Sequence, residues 1–316
     1  MTVIGRSLPI VGTTHDGVVD VDGGVTRATG AGALPGWLRA PAPGVERTSA
    51  VRSRLQTLPT VCEEARCPNQ GECWADGTAT FLLMGDTCTR GCRFCAVSSG
   101  HPAPLDDDEP ARLLEAVLAL GLRDVVLTSV DRDDLADGGA AHLARCIKAL
   151  ATQGLRVELL SPDFGGDVDS VCTVVDAGLD VFAHNVETVR RLSPSVRDRR
   201  ASFDQSLAVL GAAHRLRPDV LTKSGLMLGL GEDDDEVLDT LIALREVGTD
   251  IVTIGQYLRP SRRHLPIERY VDPDTFMSLA DDARTLGFAV ASGPLVRSSY
   301  RAAALSQAAR AAKAAS

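Results

Sequence analysis

Short apolar runs alternate with helical stretches from about residue 79 to the end of the chain. The runs are rich in Val, Ile, Leu and Phe, and each one ends at Gly, Pro or a polar cluster, which is typical of buried strands. We predict strands at 79–85, 124–130, 156–161, 180–186, 222–230, 250–258 and 288–294.

Amphipathic stretches separate these strands, and most of them end at Gly. We predict helices in EPARLLEAVLALG, AAHLARCIKALATQG, SFDQSLAVLGAAHRL, DEVLDTLIALREVG and PDTFMSLADDARTLG. A repeated strand-then-helix order favours a parallel sheet with right-handed crossovers. The number of units predicts an α/β fold, a complete or partial (βα)6–7 barrel, whose chemistry collects at the carboxyl ends of the strands.

This rhythm divides the chain into four segments. Residues 1–45 are rich in Gly, Pro and Thr and predict an irregular leader, and residues 46–78 form a cysteine-containing segment. Residues 79–295 predict the barrel, and residues 296–316 predict a closing segment that ends in an Ala-rich helix.

Composition limits the classes of partner. A net charge of -9 argues against a general affinity for nucleic acid or an anionic membrane, since both need a basic face. No apolar run reaches the roughly 20 residues that span a bilayer, and the first residues lack a secretion signal. We therefore expect a cytoplasmic protein, in which thiols stay reduced and cysteines bind metal rather than form disulfides.

Six of the eight cysteines form two triplets, whereas Cys146 and Cys172 each stand alone in an apolar helical pattern that predicts a buried structural thiol. The second triplet, CTRGCRFC at 88–95, follows the first predicted strand directly. Three thiolates in C-x3-C-x2-C spacing can hold three irons of a 4Fe–4S cluster and leave the fourth iron open. A zinc ribbon would need a further cysteine pair, which neither triplet supplies.

With Phe94 just before Cys95, this triplet resembles the motif of the radical S-adenosylmethionine (SAM) superfamily. The resemblance implies that SAM binds the open iron and is cleaved to a 5'-deoxyadenosyl radical. It also implies that Gly138 and Gly139 receive the methionine amino group, and that Asn185 and Glu187 hold the ribose and the substrate. A surface turn or a polar strand end would look the same.

The first triplet, Cys62, Cys67 and Cys73, has C-x4-C-x5-C spacing, which is no standard zinc or ferredoxin pattern. Together with TSVDRDDLADGGA, ELLSPDF, AHNVETV, TKSGLMLGLGE and IGQYLRPS, it resembles the lipoyl synthase family of that superfamily. The resemblance implies insertion of sulfur at C6 and C8 of an octanoyl chain on a lipoyl carrier domain. It makes 46–78 an auxiliary cluster segment and implies two 4Fe–4S clusters.

The same resemblance extends to RSSY at 297–300 and implies that Ser299 is the fourth ligand of the auxiliary cluster, which donates the sulfur. A simple turn before the last helix is the other interpretation of Ser298 and Ser299. The implied partners are octanoylated lipoyl carrier domains or H protein, and an electron donor such as ferredoxin or flavodoxin.

Two arginine groups follow the fourth and sixth strands, and our hypothesis is that some of them contact an acidic carrier domain; a solvated surface explains them equally well. These arginines are Arg190, Arg191, Arg197, Arg199, Arg200, Arg259, Arg262 and Arg263. Two other functions stay open: a biotin synthase type of sulfur insertion, which leaves RSSY unexplained, and a non-catalytic cluster carrier, which leaves the SAM-like strand loops unexplained.

Overall fold

Buried β-strands form the centre of the protein. The computed structural model describes residues 18–20, 35–41, 60, 69 and 79–315. The strands are β1 (Val18–Asp20), β2 (Arg39–Pro41), β3 (Thr80–Leu83), β4 (Thr87–Cys88), β5 (Ser98–Ser99), β6 (Asp124–Ser129), β7 (Arg156–Leu160), β8 (Val181–Ala183), β9 (Leu221–Leu228), β10 (Ile251–Gln256) and β11 (Ala289–Gly293).

Helices follow the strands of the central sheet. They are α1 (Glu109–Leu120), α2 (Ala140–Ala151), α3 (Val168–Val175), α4 (Ser193–Val196), α5 (Phe203–Leu216), α6 (Asp234–Glu246), α7 (Pro273–Thr285) and α8 (Ala302–Ala315). Short 3-10 turns occur at Gly36–Leu38 and Phe164–Gly166. Side chains that cap the first turn fix several helix starts; Asp233, for example, forms a reciprocal capping box with Glu236 at the start of α6.

Seven strands make one parallel sheet in the order β11-β10-β9-β8-β7-β6-β3. Each strand therefore pairs with the next one along the chain, which is the arrangement of a barrel, and β3 and β11 are the two edges. All seven predicted strands are confirmed, and the fold is a partial (βα) barrel. Separately, β1 pairs with β2 in antiparallel register.

The two faces of this sheet bury different side chains because alternate residues of a strand point to opposite faces. Leu127, Leu159, Phe182, Leu226 and Ile254 belong to the large apolar core that the sheet shares with the surrounding helices. The concave face instead carries a buried ion pair from β7 and β9. Its Lys223 Nζ lies 2.6 Å from Glu158 Oε1, and both side chains are less than a tenth exposed.

Helix α8 covers the concave face at the end where the strands begin. Leu305 and Ala309 pack there in a small apolar cluster with Val181, Leu221 and Ile251. Two ion pairs hold the exposed side of the helix, from Arg310 to Asp180 at 2.9 Å and from Lys313 to Asp250 at 3.2 Å. Both aspartates directly precede strands, so α8 lies at the amino ends of the strands and leaves the carboxyl ends open.

The two isolated cysteines differ from each other. Cys146 is fully buried in α2, as predicted, whereas Cys172 is half-exposed, so the prediction of a buried thiol there was wrong. Helix α3 buries Val171, Val174 and Val175, and Cys172 lies on the neighbouring face, where its Sγ is 3.4 Å from Asp176.

Within the part of the chain that the structure describes, every helix is too short or too polar to cross a bilayer.

The buried ion pair of the concave face yields a first prediction. Lys223→Met leaves the Glu158 carboxylate buried without a partner, and we expect it to lower the free energy of unfolding by about 3–5 kcal/mol. The double variant Lys223→Met, Glu158→Leu should recover most of the lost stability, because it leaves no unpaired charge in the interior. Denaturant unfolding of the cluster-free protein measures both, and a double variant as unstable as the single one would contradict the account.

Candidate functional site

The second cysteine triplet lies on a loop that is pinned at both ends beside the carboxyl end of β3. Cys88 belongs to β4, which pairs in parallel with β5, and the Gly100 N–H donates to the Cys88 carbonyl at 2.9 Å. The Thr89 N–H donates to the Asp131 carbonyl at 3.1 Å, so the loop also contacts the end of β6. The rim of the barrel therefore holds Cys88, Cys92 and Cys95 in one fixed loop.

Backbone amides point at the cysteine sulfurs. Cys88 Sγ accepts hydrogen bonds from the N–H groups of Arg90 at 3.4 Å and Asp131 at 3.3 Å. Cys92 Sγ accepts one from the Asp198 N–H at 3.3 Å. Such donors favour the thiolate, which is the form that binds metal.

Burial raises the pKa of all three thiols, to about 12 for Cys92 and about 11 for Cys95. The negative charge of Glu187 raises the pKa of these two cysteines further. Neutral buried thiols release their protons when a cation binds, so metal binding and deprotonation are coupled here. Three soft sulfur donors in this setting fit three irons of a 4Fe–4S cluster.

Arg90, between the first two cysteines, anchors the loop to two strand ends. Its guanidinium donates to both oxygens of Asp163, at 2.7 and 2.8 Å, and to Asp133 at 2.7 Å. Burial alone would raise the pKa of Asp163, but the Arg90 hydrogen bonds lower it to about 2. Burial raises the pKa of Asp131 to about 6, although the Arg90 charge counteracts it. This buried charge network fixes the loop on the rim.

The two glycines predicted to receive the methionine amino group lie in a tightly packed loop after β6. Gly138 and Gly139 have φ of +58° and +88°. A Cβ on Gly139 would lie 2.3 Å from the Met84 sulfur, and one on Gly138 would lie 3.0 Å from the Phe164 ring. The glycines are thus required both by their left-handed backbone and by the close approach of side chains from the ends of β3 and β7.

Asn185 and Glu187 lie just after β8. The Asn185 side chain bonds to the Glu187 carboxylate, and burial raises the pKa of Glu187 despite that bond and the nearby Arg197 charge. Gly225 of β9 leaves room for this pair, because a Cβ there would lie 2.9 Å from Asn185 Oδ1. Since the Glu187 charge acts on Cys92 and Cys95, the structure brings this pair together with the cysteine loop.

Ser299 lies at the far end of the chain but on the same rim. It is half-buried in a turn closed by the Tyr300 N–H donating to the Arg297 carbonyl at 2.9 Å, so this stretch does form a turn before the last helix; its role as a cluster ligand stays a prediction. The turn follows β11, whose carboxyl end faces the same side as that of β3.

Two contacts tie the first cysteine segment to this rim. Cys62, Cys67 and Cys73 lie outside the described residues, but Thr60, two positions before Cys62, and Asn69, between Cys67 and Cys73, are described. Thr60 is fully buried and pairs in antiparallel fashion with Phe81 of β3. The Asn69 side chain donates to the Leu295 carbonyl at 2.6 Å, four residues before Ser299. The segment therefore contacts both edges of the open sheet.

Several arginines that the sequence analysis placed at the rim form hydrogen bonds or ion pairs with other residues of this chain. Arg197 is buried and donates to Ser206 Oγ at 2.7 Å, so it is not among the arginines that could contact a carrier domain. Arg190 pairs with Asp204, and Arg191 pairs with Glu236 at 2.7 Å. The sequence alone does not show which of these arginines is buried, because the buried Arg197 and the exposed Arg190 and Arg191 all follow the same strand.

His264 is a contact of the cysteine loop that sequence reasoning missed. Its Nε2 lies 2.8 Å from the Cys95 carbonyl and its Nδ1 lies 2.8 Å from Ser261 Oγ. The carbonyl can only accept, so the N–H at Nε2 donates to it. The backbone of the adjacent Leu265 donates to the Arg93 carbonyl at 3.1 Å. Nothing in the local sequence pattern marks this histidine.

Comparison with known proteins agrees with this geometry. Residues 82–244 match the model of the radical SAM superfamily. The chain is 56% identical over 299 residues to a lipoyl synthase of Halorhodospira halophila, covering 91% of this chain and 90% of that protein. It is 53% identical over 274 residues to a lipoyl synthase of Thermus thermophilus, covering 85% of each.

Solved structures support the fold at much lower identity. Methylornithine synthase (PylB) superposes with a TM-score of 0.53 at 15% identity, covering 78% of this chain and 69% of that one. The hydrogenase maturase HydG from Carboxydothermus hydrogenoformans gives 0.52 at 14% identity, covering 79% and 72%. With sequence identity above one half over most of its length, the chain belongs to the lipoyl synthase family of the radical SAM superfamily.

Proposed function

We propose that the chain inserts two sulfur atoms at C6 and C8 of an octanoyl chain attached to a lipoyl carrier domain. The observation that carries the proposal is the hydrogen bond from Asn69 to Leu295. It joins the segment of the first cysteine triplet to the loop of Ser299, on the rim that also carries the second triplet. A single radical SAM cluster would need no such second set of ligands.

The substrate explains why radical chemistry is required. The methylenes at C6 and C8 are unactivated, so a general base or a nucleophile of the protein cannot functionalise them. When bound, the two 4Fe–4S clusters supply the electron that cleaves SAM and the sulfur that is inserted. Cys88, Cys92 and Cys95 would hold one cluster, and Cys62, Cys67, Cys73 and Ser299 would hold the other.

The remaining residues bind and orient. In this proposal Gly138 and Gly139 receive the methionine amino group, and Asn185 and Glu187 hold the ribose and the substrate. The buried Arg90 keeps the cysteine loop in register with β6 and β7, as its contacts with Asp133 and Asp163 require. A loop held in one position on the rim keeps the groups that bind SAM in a fixed geometry.

The hydroxyl of Ser299 suits a cluster that is consumed. An alkoxide is a harder ligand than a thiolate and matches an iron–sulfur cluster poorly. We infer that Ser299 would hold one iron of the auxiliary cluster only weakly, as suits a cluster that supplies its own sulfur. A thiolate in that position would hold the iron more firmly.

The partners of the reaction are a carrier and a reductant. We propose an octanoylated lipoyl carrier domain or H protein as substrate and a ferredoxin or flavodoxin as electron donor. A cytoplasmic location, where thiols stay reduced, is part of the same proposal.

The role of Ser299 is tested by removing its hydroxyl oxygen. We expect Ser299→Ala to cleave SAM normally, because the second triplet does not need this hydroxyl. The same variant should lose most or all of the sulfur insertion. The matched control is Ser298→Ala, which removes the neighbouring hydroxyl of the same turn. The assay weighs an octanoylated carrier domain and quantifies 5'-deoxyadenosine after anaerobic incubation with SAM and reductant. Full insertion by Ser299→Ala would remove Ser299 from the site.

The same assay separates the other functions. A non-catalytic cluster carrier would produce neither 5'-deoxyadenosine nor a heavier carrier domain. An enzyme of the biotin synthase type would cleave SAM but leave the octanoyl group unchanged. A mass gain of two sulfur atoms on the carrier is expected only from the proposed reaction.

Docking of the carrier is tested at the exposed Arg263. This residue lies one position before His264, which bonds to the Cys95 carbonyl, so its loop adjoins the cysteine loop. We expect Arg263→Glu to raise KM for an acidic carrier domain several-fold while turnover of an octanoylated peptide is unchanged, since long-range charge affects only the larger partner. The control is Lys148→Glu, an equal charge change in the last turn of α2 at the opposite end of the barrel. Equal effects on both substrates would refute docking at this loop.

A further inference from the structure

A second buried polar cluster lies beside the cysteine loop and takes no part in ligand binding as proposed above. Glu109, His142 and Cys146 are buried, and their ligand atoms lie within 4.8 Å of one another. His142 Nε2 is 2.6 Å from Glu109 Oε2, and His142 Nδ1 is 3.0 Å from the Arg145 guanidinium. The cluster connects the first turn of α1 with the first turn of α2.

Glu109 holds Met84, the residue that follows β3. The Met84 N–H donates to both carboxylate oxygens of Glu109, at 3.1 and 3.2 Å. Met84 has a left-handed backbone with φ of +63°, which is rare for a residue with a side chain. The carboxylate thus takes the role of a strand partner at the point where the chain turns toward Cys88.

Met84 in turn contacts the glycine loop. A Cβ on Gly139 would lie only 2.3 Å from the Met84 sulfur, so the thioether rests directly on the Gly139 backbone. Gly139 is the N-cap of α2, and His142, three residues later, bonds back to Glu109. Glu109, Met84, Gly139 and His142 therefore form a closed ring of contacts between the start of the cysteine loop and the glycine loop.

This ring is better explained as support than as a metal site. Arg145 can only donate, so His142 Nδ1 accepts from it and Nε2 carries the proton that faces Glu109. Both ring nitrogens are engaged, and burial raises the pKa of Cys146 to about 12, which keeps its thiol neutral. A cation would have to break the hydrogen bonds that hold Met84 and His142.

We propose that Glu109 and His142 are positioning residues that fix the glycine loop of Gly138 and Gly139 relative to the cysteine loop. Because those two loops are the ones proposed to hold SAM, their separation sets the affinity for SAM. This effect on SAM rests on the proposed function, whereas the contacts that join the loops do not. A misplacement of about 1 Å between reacting groups can cost on the order of 100-fold in rate.

The experiment compares Glu109→Ala with two matched variants. Glu109→Gln keeps one oxygen as an acceptor for Met84 and His142. Leu244→Ala opens a cavity in the fully buried core of α6, away from both loops, and controls for loss of stability. If Glu109→Ala does not fold, His142→Asn breaks the same ring more mildly and takes its place.

Two readouts are used, of which the first needs no cluster. Hydrogen exchange, followed by mass spectrometry on the peptide that covers residues 84–95, reports the cysteine loop in cluster-free protein. Equilibrium dialysis then gives the Kd for SAM in reconstituted protein. We expect faster exchange in 84–95 and a Kd raised about 10- to 100-fold in Glu109→Ala. Glu109→Gln should recover most of both, and Leu244→Ala should change neither.

The proposal would be overturned if the 84–95 peptide of Glu109→Ala exchanged its amide hydrogens at the wild-type rate. It would also be overturned if Leu244→Ala accelerated that exchange as much as Glu109→Ala does. A stoichiometric metal that is lost in Cys146→Ala would also overturn it, in favour of a third metal site. If the wild-type protein fails to bind SAM, the proposed function fails, and the exchange readout alone decides whether Glu109 and His142 join the loops.

Discussion

The parallel pairing of seven strands in chain order is the constraint on which the rest of the structure depends. Every crossover returns the chain to the same end of the sheet, so each loop after a strand reaches one rim. Cys88, Asp131, Asp163 and Glu187 are far apart in sequence but follow four neighbouring strands. Arg90 makes use of this proximity, because its single guanidinium can reach Asp133 and Asp163 only where β6 and β7 end side by side.

An open sheet leaves two edges and two ends that other segments must cover. Helix α8 closes the amino ends, with an apolar stripe inside and ion pairs to Asp180 and Asp250 outside. At the carboxyl ends, Thr60 pairs with the edge strand β3, and Asn69 contacts the loop after the other edge strand, β11. Thr60 and Asn69 thus lie at opposite edges of the sheet. The last segments of the chain serve both ends: α8 as a plug and the turn of Ser299 as part of the rim.

Periodicity predicted the parts of this fold that depend on local chemistry. All seven strands and the main helices follow from alternation and from glycine and proline boundaries, because burial of a strand or a helix face leaves a regular pattern. The cysteine spacings likewise indicate iron–sulfur clusters, because ligand spacing is a local property of the chain. The predicted burial of Cys172 was wrong, and the arginine pattern did not reveal that Arg197 is buried, since a residue's surroundings depend on which face of α3 or which side of the rim packs against its neighbours.

The contacts that hold the site in place could not be read from the sequence. Glu109 with His142, and His264 with Cys95, join residues that are 33 and 169 positions apart. Each of these residues is an ordinary polar residue in its local context, and only tertiary packing gives it a partner. The glycines are an intermediate case: DGG indicated a tight turn, but the close contact of Gly139 with Met84 became visible only in the folded chain.

The central claim is that the first triplet and Ser299 form a cluster whose own sulfur is transferred. The most direct measurement is to reconstitute the protein with isotopically heavy sulfide, remove free sulfide, and weigh an octanoylated carrier domain after a single turnover. The account predicts two heavy sulfur atoms in the carrier from wild-type protein, and none from a variant with Cys62, Cys67 and Cys73 replaced by alanine. Insertion of unlabelled sulfur, or of heavy sulfur by that variant, would contradict it.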